Sequence, residues 1–147
     1  MADQFVIASG VTLNTLNPQN YSLKNDYLEN LLVTAFTAFP AAAKVIGDRR
    51  FIVRKGFIPY SVLQENDPRA SSDQIKHTKG LAVRFAWDGW TPEEGMWVAQ
   101  AIYQERAEPV KVIVDQQKNE IYFSRGVNAS ILLERQLSGK FHIIRKE

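Results

Sequence analysis

Apolar residues recur with helical spacing between residues 25 and 39 of the chain. They fall at positions i, i+3, i+4, i+7, i+8 and i+11, and the set is Leu28, Leu31, Leu32, Ala35, Phe36 and Phe39. One apolar stripe of this kind predicts an amphipathic helix whose stripe packs in the core. Pro40 interrupts the pattern, so residues 41–46 are predicted to form a kinked continuation or a second short helix. Gly47 is expected to end it in a left-handed conformation.

Short runs rich in β-branched and aromatic residues predict a sheet. The predicted strands are residues 50–55, 57–63, 81–87, 110–114, 120–123 and 141–144. The first two are expected to form a hairpin or a bulged turn at Lys55 and Gly56. Pro59 confines the second strand to a sheet edge or a bulge, because proline has no N–H to donate to a ladder. A polar turn over residues 115–119 is expected to join the fourth and fifth strands.

Two more helices are predicted from their end signals. Thr91 is expected to cap a helix over residues 92–106, with Pro92 where its missing N–H costs nothing. Glu94 completes the Ser/Thr-x-x-Glu spacing of a capping box. Asn128 is expected to cap a last helix that runs to about residue 137 and ends at Ser138-Gly139.

These elements predict one α+β domain over residues 1–147. The order α-β-β-β-α-β-β-α-β indicates a largely antiparallel sheet of five or more strands covered by helices. Residues 64–80 are almost entirely polar. They predict a mobile loop with one helical turn, which could serve as a lid or only as a tether.

Composition contributes mainly by what it excludes. Hydrophobic residues make up 45% of the 147 residues, enough for one core without a second domain. Cysteine is absent, which excludes disulfides, thiolate catalysis and thiolate metal sites. The first residues lack the basic region of a signal peptide, and no run approaches the roughly 18 apolar residues of a membrane span. A soluble, unprocessed, cytoplasmic protein is therefore expected.

The charge balance does not point to nucleic acid. A formal net charge of +2 is too small to indicate a polyanionic partner. Four basic residues flank the first predicted hairpin: Arg49, Arg50, Arg54 and Lys55. They could meet phosphate, but positive charge on a solvated sheet edge accounts for them equally well, so nucleic-acid binding is not expected.

Few side chains offer chemistry. The sequence contains no nucleophile elbow, Walker loop or dinucleotide fingerprint. His77 is a candidate general base because imidazole titrates near neutrality, although a lone histidine in a loop is usually only solvated. His142 lies between Phe141 and Ile143, which predicts a packed position on the last strand. Two isolated histidines predict no metal site.

Aromatic residues concentrate where the strand over residues 81–87 leads into the helix that Thr91 caps. They are Phe85, Trp87, Trp90 and Trp97. One interpretation is a hydrophobic minicore that closes the helix onto the sheet. The other is an apolar cleft beside the helix N-terminus, where free N–H groups face an acyl carbonyl or a phosphate.

Several segments form an ordered series along the chain. They are Phe39-Pro40-Ala41; Gly56-Phe57-Ile58-Pro59-Tyr60 with Ser61-Val62-Leu63; Asp88-Gly89-Trp90-Thr91 with Trp97; and Val112-Ile113-Val114-Asp115 with the strand ending at Gly126. In this order, over roughly residues 15–126, they resemble the RTX toxin-activating lysine acyltransferases. Members of that family have a GNAT-like fold and transfer a fatty acyl group from acyl carrier protein to a lysine.

The resemblance implies a GNAT/acyltransferase-like fold, a protein lysine as acceptor, and acyl-CoA or acyl carrier protein as donor with no further cofactor. The substrate-binding candidates are Trp87, Trp90, Thr91, Trp97 and Ser61. The family's catalytic histidine corresponds to Asp26, and its catalytic aspartate to Gln100. A glutamine cannot take a proton, and an aspartate is a weaker base than imidazole at pH 7. The implied function is therefore an acyltransferase of uncertain or lost activity, with Asp26, Ser22 or His77 as the substitute base if activity persists.

Two other functions stay open. A non-catalytic interaction protein on the same fold, such as a phage virion component or an inhibitor, would use the aromatic cleft as an interface. A secretion chaperone-like dimer would share the predicted element order, but such chaperones are typically acidic, whereas the pI here is ≈ 8.9. A protein partner is expected, with a homodimer as one alternative, and the virion is the alternative to the cytoplasm.

Overall fold

Two long helices packed on one sheet hold the core of the protein. The computed structural model describes residues 6–147. In chain order the helices are α1 (Leu13–Leu16), α2 (Asn25–Ile46), α3 (Tyr60–Asn66), α4 (Ser72–Lys76) and α5 (Pro92–Gln104), and a 3-10 turn at His77–Lys79 follows α4. The strands are β1 (Val6–Ala8), β2 (Val11–Thr12), β3 (Phe51–Lys55), β4 (Ala82–Trp87), β5 (Val110–Asp115), β6 (Glu120–Arg125), β7 (Ile131–Arg135) and β8 (Phe141–Lys146).

The main sheet has six strands in the order β3-β4-β6-β5-β7-β8. Its neighbouring strands are antiparallel except β5 and β7, which run parallel. The sheet is thus mixed, and the α+β class predicted from the sequence is confirmed at that level. The parallel pair arises because β6 returns the chain to the start of β5. The loop over residues 126–130 then crosses that same start of β5, and β7 begins on the other side of β5 and runs parallel to it.

Helices α2 and α5 cover one face of this sheet, called the helix face below. Alternate strand residues point into it, so Phe85 and Phe123 are buried there with the α2 residue Phe39. The Phe39 ring lies 4.7 Å from the ring of Phe85 and 5.0 Å from that of Phe51, centre to centre. The opposite face, called the second face, is covered in part by α4, where the Tyr122 hydroxyl donates to the carbonyl of Asp73 at 2.9 Å.

Helix α2 is continuous where the sequence suggested a kink or a break. Pro40 lies within it on the solvent-exposed side. The hydrogen bond that proline cannot donate is therefore lost where water can replace it, and the helix continues. Gly47 ends the helix at a positive φ of 71°, and its N–H donates to the carbonyl of Ala43 at 2.9 Å.

Two predicted elements are wrong, and both misassignments concern long-range pairing. Residues 57–63 do not pair with β3. Pro59 is the N-cap of α3, and β3 pairs with β4 instead. The predicted helix over residues 128–137 is strand β7, because parallel pairing with β5 buries Leu132 in the core. Strand β8 and the β5–β6 hairpin are confirmed.

The segment 64–80 contains more regular structure than the single helical turn expected. It includes the end of α3, all of α4 and the 3-10 turn, and Ser71 caps α4 by accepting from the N–H of Gln74. His77 and Thr78 are buried. The mobility of this segment stays a prediction. In the described part of the chain, no helix is long and apolar enough to cross a membrane.

We expect Gly80→Ala to destabilise the fold by about 2–4 kcal/mol, because the residue has a φ of +73° and a Cβ there would overlap the carbonyl oxygen of Tyr27. Gly89→Ala is the matched control. Gly89 has a similar φ of +78°, but a Cβ there would meet only an Arg49 nitrogen at 3.6 Å, an ordinary contact. It should cost only the backbone strain of about 1–2 kcal/mol in a urea titration. Equal losses would show that α2 and residue 80 are not tightly docked.

Candidate functional site

A groove of about 590 Å³ lies between the start of α2, the segment leading into α3, and α4 with its 3-10 turn. We call it the α2 groove. Its walls are formed by Ser22, Lys24, Tyr27, Phe57, Pro59, Tyr60, Ser61, Ile75, Thr78 and Lys79. Its volume lies within the range of small-molecule sites.

Hydrogen bonds and close packing against the backbone fix the walls of the α2 groove relative to one another. The N–H of Phe57 donates to the carbonyl of Leu16 at 2.8 Å. Gly56 lies so close to Leu16 that a Cβ there would overlap the Leu16 backbone. On the other side, the side-chain amide of Asn30 donates to the carbonyl of Lys79 at 3.0 Å. These contacts hold Lys79 beside the first turns of α2.

The groove combines aromatic walls with positive charge. The rings of Tyr27 and Phe57 lie 6.3 Å apart, and the Lys24 ammonium is 5.6 Å from the Tyr27 ring centre. Neither Lys24 nor Lys79 has a carboxylate partner among residues 6–147. Lys24 is also the N-cap of α2 and gives the helix no side-chain cap. The groove therefore suits a ligand that joins an anionic group to an apolar part.

His77 lies behind the groove and is fully buried. Its Nδ1 lies 2.9 Å from the carbonyl oxygen of Gly56, so in the neutral ring Nδ1–H donates to that oxygen. Burial, with a smaller contribution from the Arg84 guanidinium, lowers the pKa of His77 to about 3. Nε2 has no hydrogen-bond partner among the described residues. His77 is therefore a neutral structural residue at physiological pH. Because its ring is fully buried, it cannot contact a substrate and is not positioned to act as a general base.

The two positions that correspond to the family's catalytic pair are far apart. Asp26 is exposed in the first turn of α2, and Gln100 is exposed on α5. Because Lys44 pairs with Glu105 and Arg49 with Glu94, the two helices run antiparallel. At roughly 1.5 Å per residue, Asp26 lies roughly 25 Å along the helix axis from the Lys44–Glu105 contact, and Gln100 lies farther still. The structure does not bring this pair together.

The substrate-binding candidates divide between two regions. Ser61 lies in the α2 groove together with Ser22. Trp87 is buried in the core, and Trp90 stacks on it at 4.6 Å between ring centres and covers Gly95. This contact supports the minicore interpretation.

The remaining substrate-binding candidates, Thr91 and Trp97, lie near the start of α5. Thr91 caps that helix by accepting from the N–H of Glu94 at 3.2 Å. The capping box is only half formed, because the Glu94 carboxylate pairs with Arg49, which lies 2.9 Å away through its Nη1. Trp97 is 56% exposed on the outer side of α5.

Several groove residues were not foreseen from the sequence. Lys24, Tyr27, Phe57 and Lys79 come from three separate elements, and only their proximity to Ser22 and Ser61 could have drawn attention to them. His142 is exposed, so the packed position predicted for it is wrong. Among residues 6–147 no group of three or more histidine and acidic side chains could hold a metal ion.

Comparisons with known proteins leave the site to be interpreted from its own geometry. No protein-family model matches the chain, and none of the curated proteins or solved structures matches it. The function must therefore be argued from the α2 groove and the surfaces around it.

We expect the buried His77 to make stability fall in acid. The pKa of His77 is lowered in the folded protein, so below about pH 6.5 the unfolded chain binds a proton that the folded protein binds only near pH 3. The contribution of His77 to the free energy of unfolding is complete above about pH 6.5. Urea titrations should show a loss of about 2 kcal/mol between about pH 7 and pH 5. His77→Asn, which keeps a donor for the Gly56 carbonyl but does not titrate, should lose that part of the pH dependence. The exposed His142→Asn variant should keep it; identical profiles for all three proteins would contradict the assignment.

The two ends of the aromatic cluster should respond differently to truncation. Trp87→Ala removes a side chain that is 2% exposed and should cost about 3–5 kcal/mol of unfolding free energy. Trp97→Ala removes one that is 56% exposed and should cost less than about 1 kcal/mol. Chemical denaturation of both variants checks this. A large loss for Trp97→Ala would mean that its ring packs against the protein in solution.

Proposed function

We propose that this protein is an acyltransferase-like domain that binds a phosphorylated acyl donor in the α2 groove and has lost the acid–base pair of an active transferase. The observation that carries the proposal is the pair Lys24 and Lys79, two cations without carboxylate partners in the described chain, beside an aromatic groove. Such cations remain available for an anionic ligand. The GNAT-like character of the fold is part of the same proposal.

The donors implied by the family resemblance have the features that the groove complements. Acyl-CoA and acyl carrier protein both present a phosphate, an amide-containing arm and an acyl chain. The phosphate would meet the lysine ammonium groups, which bind it as point charges. The hydroxyls of Ser22 and Ser61 are available to the amides of the arm, and the rings of Tyr27 and Tyr60 offer apolar surface to the acyl chain.

The proposed loss of activity rests on the positions of the candidate bases, His77 and Asp26. His77 is neutral and fully enclosed. Asp26 is exposed and lies far from Gln100 along the antiparallel helix pair. No imidazole lines the α2 groove to take the proton of an attacking lysine amine. We expect donor binding without efficient transfer.

Isothermal titration with octanoyl-CoA tests the binding. Lys24→Glu/Lys79→Glu should weaken the affinity at least about tenfold, because like charges replace attractive ones at the phosphate. Lys140→Glu/Lys146→Glu is the charge-matched control on exposed residues of the opposite sheet edge and should leave the affinity within about twofold. Titration with octanoate alone and with CoA alone separates the contributions of the chain and the phosphate. Absence of wild-type binding, or equal losses in both variants, would overturn the proposal.

Intact-mass spectrometry tests the loss of activity. The protein is incubated with octanoyl-CoA or acyl-loaded carrier protein and with a lysine-containing acceptor protein. We expect no acyl adduct above the rate measured without the protein. Transfer that disappears in Asp26→Ala and persists in Asp48→Ala would show that Asp26 is a working base and that the protein is an enzyme.

A further inference from the structure

Strand β8 forms one edge of the main sheet, and its outer side carries no neighbouring strand among residues 6–147. It is six residues long, Phe141–Lys146, and pairs only with β7. An edge of this kind presents main-chain N–H and C=O groups that can pair with another extended chain.

The opposite edge of the sheet is protected, which makes β8 the available one. The N–H of Phe51 in β3 donates to the carbonyl of Ser9 at 2.9 Å, and just after β3 the N–H of Phe57 donates to Leu16. The segment that contains β1, β2 and α1 thus runs along β3. No described segment does this for β8.

Strand β8 itself is firmly held on its inner side. Ile144 packs against the core, and the Arg145 guanidinium lies 5.2 Å from the centre of the Tyr103 ring. The terminal residue Glu147 pairs with Arg106 at 3.1 Å, and its N–H donates to the carbonyl of Ser130 at 3.1 Å. The inner side of β8 is therefore attached to the core and to the end of α5.

The side chains of β8 divide by chemistry between the two faces of the sheet. Phe141 and Ile143 lie opposite Arg135 and Leu133 on the second face, where they are 59% and 52% exposed. His142 and Arg145 both point to the helix face, because a bulge between Ile143 and Arg145 shifts the alternation by one residue. Lys140 and Lys146 add positive charge at the two ends of the strand. The only acidic side chain in residues 140–147 is that of Glu147, which pairs with Arg106.

We propose that β8 binds an extended, acidic peptide segment of another protein, which adds to the sheet as a seventh strand. Main-chain hydrogen bonds to β8 would provide the part of the affinity that does not depend on the peptide's sequence. Alternate apolar residues of the peptide would pack beside Phe141 and Ile143, and the acidic residues between them would meet His142 and Arg145 on the other face. A second copy of this chain is a poorer occupant, because it would bring two basic edges together.

Fluorescence anisotropy of a labelled, end-capped peptide of eight alternating glutamate and valine residues tests this with the full chain. We expect saturable binding, and at least about tenfold weaker binding to Arg145→Glu/Lys146→Glu. Lys24→Glu/Lys79→Glu has the same charge change, but the α2 groove lies near the opposite edge of the sheet, roughly 24 Å from β8 across five strand spacings, so this variant should bind the peptide as the wild type does. A lysine-valine peptide should not bind.

Two further measurements distinguish strand addition from charge attraction alone. The same glutamate-valine peptide with N-methyl groups on alternate residues keeps its charge but cannot complete a ladder, so its binding should be lost. Equal binding of the methylated peptide, or full binding by Arg145→Glu/Lys146→Glu, would overturn the proposal. Sedimentation of the protein alone should show a monomer; a dimer disrupted by Ile143→Asp would identify a second copy as the occupant instead.

Discussion

The hydrogen bond from the His77 ring to the Gly56 carbonyl is the contact on which the arrangement of the candidate site depends. It joins the end of β3 to the 3-10 turn that leads into β4, across residues 57–76, whose buried hydrophobic side chains are Phe57 and Leu63. Because the His77 side chain is fully buried, the bond forms in a low-dielectric setting, and its loss would leave the buried Gly56 carbonyl without a donor. Tyr27, Phe57 and Lys79 face one groove because this bond and the close packing of Gly56 and Gly80 hold their segments together.

Some cations on the surface form ion pairs with carboxylates, and others have no carboxylate partner and can contact a ligand. Three cations on the second face of the sheet are matched locally: Arg84 pairs with Glu120 at 3.1 Å, Lys111 with Asp73 at 3.0 Å, and Arg135 with Asp115 at 3.5 Å. These pairs satisfy side chains beside a partly covered sheet. Lys55, opposite Arg84 in the sheet, has no such partner among the described residues. The lysines of the α2 groove and the basic residues of β8 lack such partners in the described chain, although carboxylates are almost as numerous as cations in the sequence. Both proposals rest on this contrast.

The elements that local pattern specifies were predictable, and those that depend on distant partners were not. The apolar stripe of α2, the Thr91 cap of α5 and the polar turn between β5 and β6 are each encoded within a few residues. In that turn the Asp115 carboxylate accepts from the N–H groups of Gln117 and Lys118, both at 3.0 Å. Residues 131–135 carry no such signal, since the run Ile-Leu-Leu-Glu-Arg fits a helix or a strand until pairing with β5 decides. The α2 groove was missed for the same reason, because its walls come from segments up to 57 positions apart, from Ser22 to Lys79.

The crossing of the chain after β6 divides the sheet into two parts that differ in how they are connected. Strands β3, β4, β5 and β6 pair with one another without β7 or β8. The hairpin of β7 and β8 pairs with them only along β5, but Leu132 and Ile144 also pack in the common core, and Glu147 forms an ion pair with Arg106 just after α5. A partner seated on β8 would therefore oppose the opening of the hairpin and also protect the end of α5. None of these contacts involves a wall of the α2 groove, so we expect such a partner to leave the affinity of the groove unchanged.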